Sequence, residues 1–259
     1  MMLTTRRQQR GASRRTAAIL LSCMAGLSPS LAVAADGSGW EWSVTPYAWL
    51  VNLDADMQWD RAPGGGIDAG ARFDDVLDEF DGAFEVHLEG RGDHYGVFAD
   101  FTYLGLAGER ERPGLRIESD LDARLVEVAW VWRAVAQGQS GLDVFAGVRL
   151  IDLDLAVSLD PQDPAFGTAD AQAGDTFNDV MVGARYVWPS SGRWHVVLRA
   201  DGSFGQTEGT WNASVMANYR MQRGAWLVGY RHLSGELQAG GATTDITATG
   251  PVVGYSFFF

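Results

Sequence analysis

The sequence predicts an all-β chain, a ten-stranded antiparallel transmembrane β-barrel, and three observations predict it. Ten segments alternate apolar and polar residues with period two over ten or so residues. That is the length of a tilted strand crossing a bilayer, about 9–11 residues, rather than the roughly five or six usual in a soluble sheet. The links between segments fall alternately into short and long classes, and seven of the ten tryptophans lie near the same end of their strands.

Composition narrows the alternatives. A chain of 259 residues with one Cys, 46% hydrophobic and 11% aromatic residues is neither a disulfide scaffold nor intrinsically disordered. There is no Lys, so all 20 basic side chains are Arg, set against 33 acids for a net charge of -13. A balance that acidic excludes a general nucleic-acid binder.

Residues 1–35 read as a secretory signal peptide, leaving 36–259 as the barrel domain. Arg6, Arg7, Arg10, Arg14 and Arg15 form a basic region without acids, Thr16 to Ala35 is apolar, and Ala32-Val33-Ala34 supplies small residues for cleavage. Arg14-Arg15 is not followed by the large apolar residues of a twin-arginine signal. Too few apolar residues precede Cys23 for a lipoprotein signal. Export by the Sec route is the reading, and it removes the single Cys.

The strands expected are 40–51, 82–91, 94–107, 120–134, 141–154, 178–188, 193–204, 209–220, 225–235 and 246–259. From Asp179 to Trp188, for example, Val180, Val182, Ala184, Tyr186 and Trp188 share one face, with Met181, Gly183 and Arg185 opposite. Links 52–81, 108–119, 155–177 and 236–245 are long, with Gly205 to Glu208 the short exception. Gly92-Asp93, Val135 to Ser140, Pro189 to Gly192 and Met221 to Gly224 are tight. Tight turns on one rim and long loops on the other is the outer-membrane layout, with both chain ends at the periplasmic rim.

Trp40, Trp42, Trp130, Trp132, Trp188, Trp194 and Trp226 then fall at the periplasmic membrane interface, with Tyr95, Tyr186, Tyr219 and Tyr255. An indole leaves water readily yet keeps its N–H among headgroups. Trp49, Tyr103, Trp211 and Tyr230 are expected in the opposite belt.

At the C-terminus Val253, Tyr255, Phe257 and Phe259 share a face, and the chain ends on an aromatic. Tyr255, Phe257 and Phe259 resemble the assembly signal of outer-membrane barrels, which implies barrel assembly machinery and periplasmic chaperones as partners during biogenesis. More broadly the chain resembles a family of proteobacterial outer-membrane β-barrel proteins. The resemblance rests on Trp42-Ser43-Val44-Thr45-Pro46-Tyr47, Phe73-Asp74-Asp75-Val76-Leu77-Asp78, Val182-Gly183-Ala184-Arg185-Tyr186, Leu198-Arg199-Ala200-Asp201, Gly229-Tyr230-Arg231 and Gly250-Pro251. It implies a fold and a place, the outer membrane of a Gram-negative bacterium, in contact with its lipid and lipopolysaccharide, and no reaction. The chain departs from the family pattern at His232, Ser234 and Gly205 to Glu208.

If apolar faces meet lipid, the opposite faces line the lumen with Glu85, His87, Glu89, Asp100, Glu127, Arg149, Arg185, Arg199, Asp201 and Arg231. Acids come early and arginines late, so a mid-barrel layer of paired charges is expected. Gly147-x-Arg149, Gly183-x-Arg185 and Gly229-x-Arg231 suggest that an inward Gly leaves room for each long side chain. Ten strands lie near the eight that side chains just fill, far from the roughly 16 of a porin. The expectation is therefore a charge-paired plug with a structural or surface-interaction role. The alternative is a narrow passive channel for small solutes, selected by its mixed-sign lining.

Two catalytic readings are weaker. His232, Ser234 and Glu236 resemble a lipid A deacylase arrangement, but Gly235-Glu236 breaks the pattern after the Ser. Ten strands also suit omptin proteases, yet no spacing joins Asp54, Asp56, Asp152, Asp154 and His232 into such a site. The outer loops are acidic: Asp54, Asp56, Asp60, Asp68, Asp74, Asp75, Asp78, Glu79 and Asp81 in the first, and Asp152, Asp154, Asp160, Asp163, Asp170 and Asp175 near the third. None has the ligand spacing of a calcium loop. Phe73 to Phe80 reads as a short amphipathic helix that could cover the mouth. No cofactor or metal is expected.

Overall fold

The computed structural model describes residues 39–59, 71–72, 80–112, 115–137, 140–161, 168–189, 192–239 and 242–259. Strands are β1 (Glu41–Trp49), β2 (Asn52–Trp59), β3 (Ala71–Arg72), β4 (Phe80–Arg91), β5 (Tyr95–Arg112) and β6 (Leu115–Gln137). They continue as β7 (Ser140–Pro161), β8 (Ala169–Pro189), β9 (Trp194–Gly205), β10 (Gly209–Arg220), β11 (Gly224–Ala239) and β12 (Ala242–Phe258). Every pairing is antiparallel, and β1 closes the sheet onto β12.

Twelve segments make ten staves. β1 pairs with β12 from Ser43↔Phe258 to Trp49↔Val252, and β2 takes over the upper half of β12 from Asn52↔Thr249 to Trp59↔Ala242. The two are one stave broken at Leu50-Val51. A Cβ on Gly250 would collide with the Leu50 carbonyl, while Leu50 N donates to Pro251 O at 2.9 Å. Gly250-Pro251 therefore permits the close approach where the stave steps, in the manner of a bulge.

All ten expected strands are present, but their outer ends differ. The expected long links 108–119, 155–177 and 236–245 are largely strand, because the β5–β6, β7–β8 and β11–β12 ladders run on past the expected ends. Much of 52–59 is likewise strand, not loop. β6, β7 and β8 reach 23, 22 and 21 residues, about twice what a bilayer needs, whereas β9 and β10 have 12 each. The outer rim is tall on one side and low on the other. The signal peptide, the 73–79 part of the expected helix, and Asp60, Asp68, Asp74, Asp75, Asp78, Glu79 and Asp163 lie outside the described residues.

The period-two faces separate as an inside-out barrel requires. Trp130, Trp132, Trp188, Trp194 and Trp226 project outward near the tight turns, each about half exposed. Trp40 and Trp42 stack at 6.1 Å beside them, with the Trp42 ring lying over Gly90. Tyr255 bridges Trp226 and Phe257 edge-on at 5.0 and 4.8 Å, and Phe259 is hydrogen-bonded back to Trp42 through both backbone groups. Above this belt Val128, Val148, Val180, Val182, Leu198, Val215, Val228 and Val253 form an exposed apolar band. A band of this kind is stable only against lipid.

Trp49 departs from expectation: it points into the lumen, 2% exposed, beneath the Arg231 guanidinium. It shares the inward parity of Thr45, and a cation–π contact replaces the membrane interface as its reason. The Gly-x-Arg reading also changes. A Cβ on Gly147 would strike Val128 O and Ala129, on Gly183 the Phe145 ring and Asp201, and on Gly229 Val215 O and Met216. These glycines admit neighbouring strands and apolar side chains, not the arginines. Gly147→Ala should therefore destabilise the barrel by about 1–3 kcal/mol through overpacking. Gly202→Ala, which meets only Thr210 O at 3.4 Å, should leave the urea unfolding midpoint in detergent unchanged.

Candidate functional site: a charged layer across the lumen

Inward parity brings all ten predicted lumen residues to the interior, and hydrogen bonds join six of them with residues the sequence pattern alone does not single out. Arg149 on β7 reaches Glu127 on β6 at 2.6 and 2.9 Å, Thr210 on β10 at 2.6 Å, and Asp201 on β9. Arg199 on β9 crosses to Glu127 at 2.6 Å and holds Asp201 at 2.7 Å. Asn212 donates to Asp201 at 2.8 Å and accepts from Arg231 at 3.0 Å, and Arg231 spans to Glu85 on β4 at 2.6 Å. Thr102 on β5 closes the end of the chain on Glu85 at 2.8 Å.

The centre of this network is dry. The side chains of Arg149, Glu127 and Asp201 are 0%, 1% and 0% exposed. Ions so buried are tolerable only when paired and hydrogen-bonded, because removing each from water costs several kcal/mol. Guanidinium suits the place: it stays charged and presents five donors in a fixed plane, so a single Arg ties three staves at once. Apolar clusters flank the layer. Phe98, Ala129, Val131, Phe145 and Met181 lie toward the tight turns, with Arg199 over both rings at 5.1 Å. Trp49, Leu104, Ala248 and Val252 lie toward the outer rim.

Asp179, another inward residue passed over, ties the short outer link to this layer. It accepts from Gln206 N at 2.9 Å, Thr207 N at 3.1 Å, the Thr207 hydroxyl and Ser203 Oγ. Ser203 in turn meets Thr210, which Arg149 contacts. Asp179, Thr210 and Asn212 have the same alternation as the predicted residues, and parity alone would have found them.

His87, Glu89 and Arg185 belong to a second network nearer the tight turns. Asp100 accepts from Tyr47 at 3.1 Å and lies 2.9 Å from His87 Nδ1. Glu89 is shared by Arg91 at 3.0 Å and Arg185 at 2.6 Å, and Asp143 takes Arg185 at 2.9 Å. Between the two networks a cavity of about 390 Å³ opens at the tight-turn rim. Its walls run from Glu41, Arg91 and Arg133 at the mouth to Arg199 and Arg231 at the inner end.

Neither catalytic arrangement assembles. His232 and Ser234 face outward on β11, each tied to a different β12 threonine: His232 Nδ1 to Thr249 at 2.8 Å, Ser234 Oγ to Thr247 at 3.2 Å. Trp211 covers the imidazole, with ring centroids 4.3 Å apart. Glu236 is exposed and pairs in register with Asp245, not with the His. Asp152 also faces outward, on β7 across the barrel, where its carboxylate accepts from Thr176 at 2.8 Å and Arg124 at 2.9 Å. Asp154 joins it beside Arg124 at 3.6 Å. Asp54 alternates with the inward Leu53 and so faces outward on β2. Asp56 lies two residues farther along the same strand.

Removing one member of the dry layer strands its partners. Arg149→Ala should cost about 3–5 kcal/mol of stability in urea unfolding of the detergent-folded protein. Arg124→Ala, at an exposed pair, should leave the midpoint in place. Equal effects of the two would contradict the burial of the layer.

No family model matches the chain, and no curated protein matches it significantly. Among solved structures it is similar to the outer membrane protease OmpT from Escherichia coli, at 7% identity and a TM-score of 0.52, over 85% of this chain and 97% of that one. The translocator domain of the autotransporter NalP from Neisseria meningitidis aligns at 10% identity and a TM-score of 0.46, over 94% and 97%. The first likeness is one of fold alone. With the closed ten-stave sheet and the outward apolar band, it establishes this chain as a β-barrel of the bacterial outer-membrane type.

Proposed function

We propose that this chain is an integral protein of a Gram-negative outer membrane, exported by a cleaved Sec signal, whose lumen is closed and whose role is structural or surface-interacting. The observation that carries this reading is the dry layer. Arg149, Glu127, Asp201, Arg199, Arg231 and Glu85 link staves across the barrel rather than only along its wall. A solute crossing the barrel would have to separate ion pairs with almost no exposure to water. Function is then left to the outside: lipid and lipopolysaccharide around the wall, and the tall outer extensions of β5 to β8. The exposed aromatic C-terminus, Tyr255, Phe257 and Phe259, supports recognition by the assembly machinery during biogenesis.

A second reading, a narrow channel, draws support from the cavity, which penetrates from the tight-turn mouth to Arg231. The protease named among the similar structures supplies no third. Asp54, Asp152 and His232 lie on outward faces of different staves, and so cannot converge on one substrate.

Planar-bilayer conductance of the refolded mature chain separates the two readings. The closed lumen predicts silence from the wild type and openings from Arg231→Ala, which removes the link to Glu85. Steady wild-type openings whose selectivity follows Arg231 would establish the channel instead.

A further inference from the structure

We infer that the blind cavity below the charged layer is a binding site for a small water-borne polyanion, carrying carboxylate or phosphate groups and entering from the tight-turn side. The wall of this cavity carries Arg91, Arg133, Arg185, Arg199, Arg220 and Arg231 against Glu41, Glu89, Asp93 and Asp100, an excess of guanidiniums over carboxylates. Arg91 and Arg185 share Glu89 and Asp143, and Arg133 reaches Asp143 alone. Glu89 is held by Arg91 and Arg185, and Asp143 by Arg185 at 2.9 Å, Arg91 at 3.6 Å and Arg133 at 3.7 Å. Three guanidiniums offer about fifteen N–H donors against about eight lone-pair positions on two carboxylates. Among the described residues, the Arg133 guanidinium has only the long contact to Asp143, and that of Arg220 only a 3.5 Å contact to Glu41 besides its packing on Phe258.

The inner end repeats the imbalance in a more buried setting. Arg199, its side chain 14% exposed, lines the inner end beside Arg231 and spends Nε on Asp201 and Nη2 on Glu127, while Arg231 is engaged by Glu85 and Asn212. A guanidinium edge open to the cavity can give an anionic oxygen a charge-assisted bond. Donors thus stand at both ends of a space of about 390 Å³, the lower end of the usual range for a small-molecule pocket. A compact ligand with two or more anionic groups fits this distribution; a cation would meet guanidiniums at either end. The inference holds whether or not the layer above conducts, since the cavity opens at the tight-turn rim and meets the layer only at Arg199 and Arg231.

The test uses the full mature chain folded in neutral detergent, with heat-modifiable migration confirming the fold of each variant. Thermal midpoints are followed against citrate and inorganic phosphate, with sodium chloride at matched ionic strength as control. A bound anion raises the midpoint saturably, as linkage requires. Citrate is expected to do so, with Arg133→Gln and Arg220→Gln each weakening its apparent affinity about tenfold. Both lie at the mouth with long ion pairs, so neither should disturb the dry layer. No saturable rise with either anion would overturn the inference, as would a citrate affinity unchanged in both variants. Stabilisation by spermine in place of citrate would reverse the sign of the site. Saturation by phosphatidylglycerol in the micelle, without any response to water-borne citrate, would move anion binding to the lipid-facing wall and equally overturn it.

Discussion

The constraint on which this barrel depends is that a ten-stave cylinder has a lumen too narrow for bulk water and too wide to be filled by aliphatic side chains alone. Here the middle of that lumen is filled by arginines and acids that neutralise one another. Once Arg149 is buried, it requires Glu127 and Asp201; Glu127 and Asp201 accept more than one guanidinium can give and so recruit Arg199. Asn212 relays the remaining acceptor capacity to Arg231, whose length brings it to Glu85 on the far wall. Each member is explained by the one before it, so the layer is a single unit and not a set of independent salt bridges. The absence of Lys from the whole sequence fits such an interior, because an ammonium cannot divide planar bonds among three staves.

The other features follow from closing the middle. Apolar clusters above and below keep water from Arg149, Glu127 and Asp201, which raises the strength of each bond and the cost of breaking it. The glycines opposite Val128, Phe145 and Met216 let those clusters pack against the wall at backbone distance. Outside, the same strands present an uninterrupted apolar band bounded by tryptophans and tyrosines. Polarity is inverted relative to a water-soluble barrel, and one alternation of the sequence satisfies both faces.

That alternation is why so much was legible. A period of two assigns every residue of a strand to one face once a single residue is placed, so Glu85, Glu127, Arg149 and Arg231 could be assigned to the lumen from spacing alone. The pairing of Arg231 with Glu85 could not: two staves, β12 and β1, lie between them, and only the tilt and stagger of the closed barrel bring them together. Trp49 was misjudged because aromatic residues near strand ends usually mark an interface, and a cation above the ring was not visible in one strand's pattern. The outer ends look like loops in the sequence, where Gly, Asp and Pro accumulate. Beyond the bilayer, a ladder needs only its own hydrogen bonds and tolerates such residues on exposed faces.

The layer also orders events in time. Its cross-lumen bonds join residues far apart in the chain: Arg199 and Glu127 are 72 positions apart, Arg185 and Glu89 96, and Arg231 and Glu85 146. No hairpin formed early contains both partners, so these contacts await the curling of nearly the whole sheet. Until then each arginine and acid remains hydrated, and a half-built sheet keeps a wet, repelling inner surface that resists premature collapse. Register is checked at the last step, because a strand displaced by one residue would turn its charge toward lipid and leave the partner stranded inside. A closed seam between β1 and β12 is thus coupled to correct pairing throughout the lumen, and chains that fail the match remain open and recognisable as unfinished.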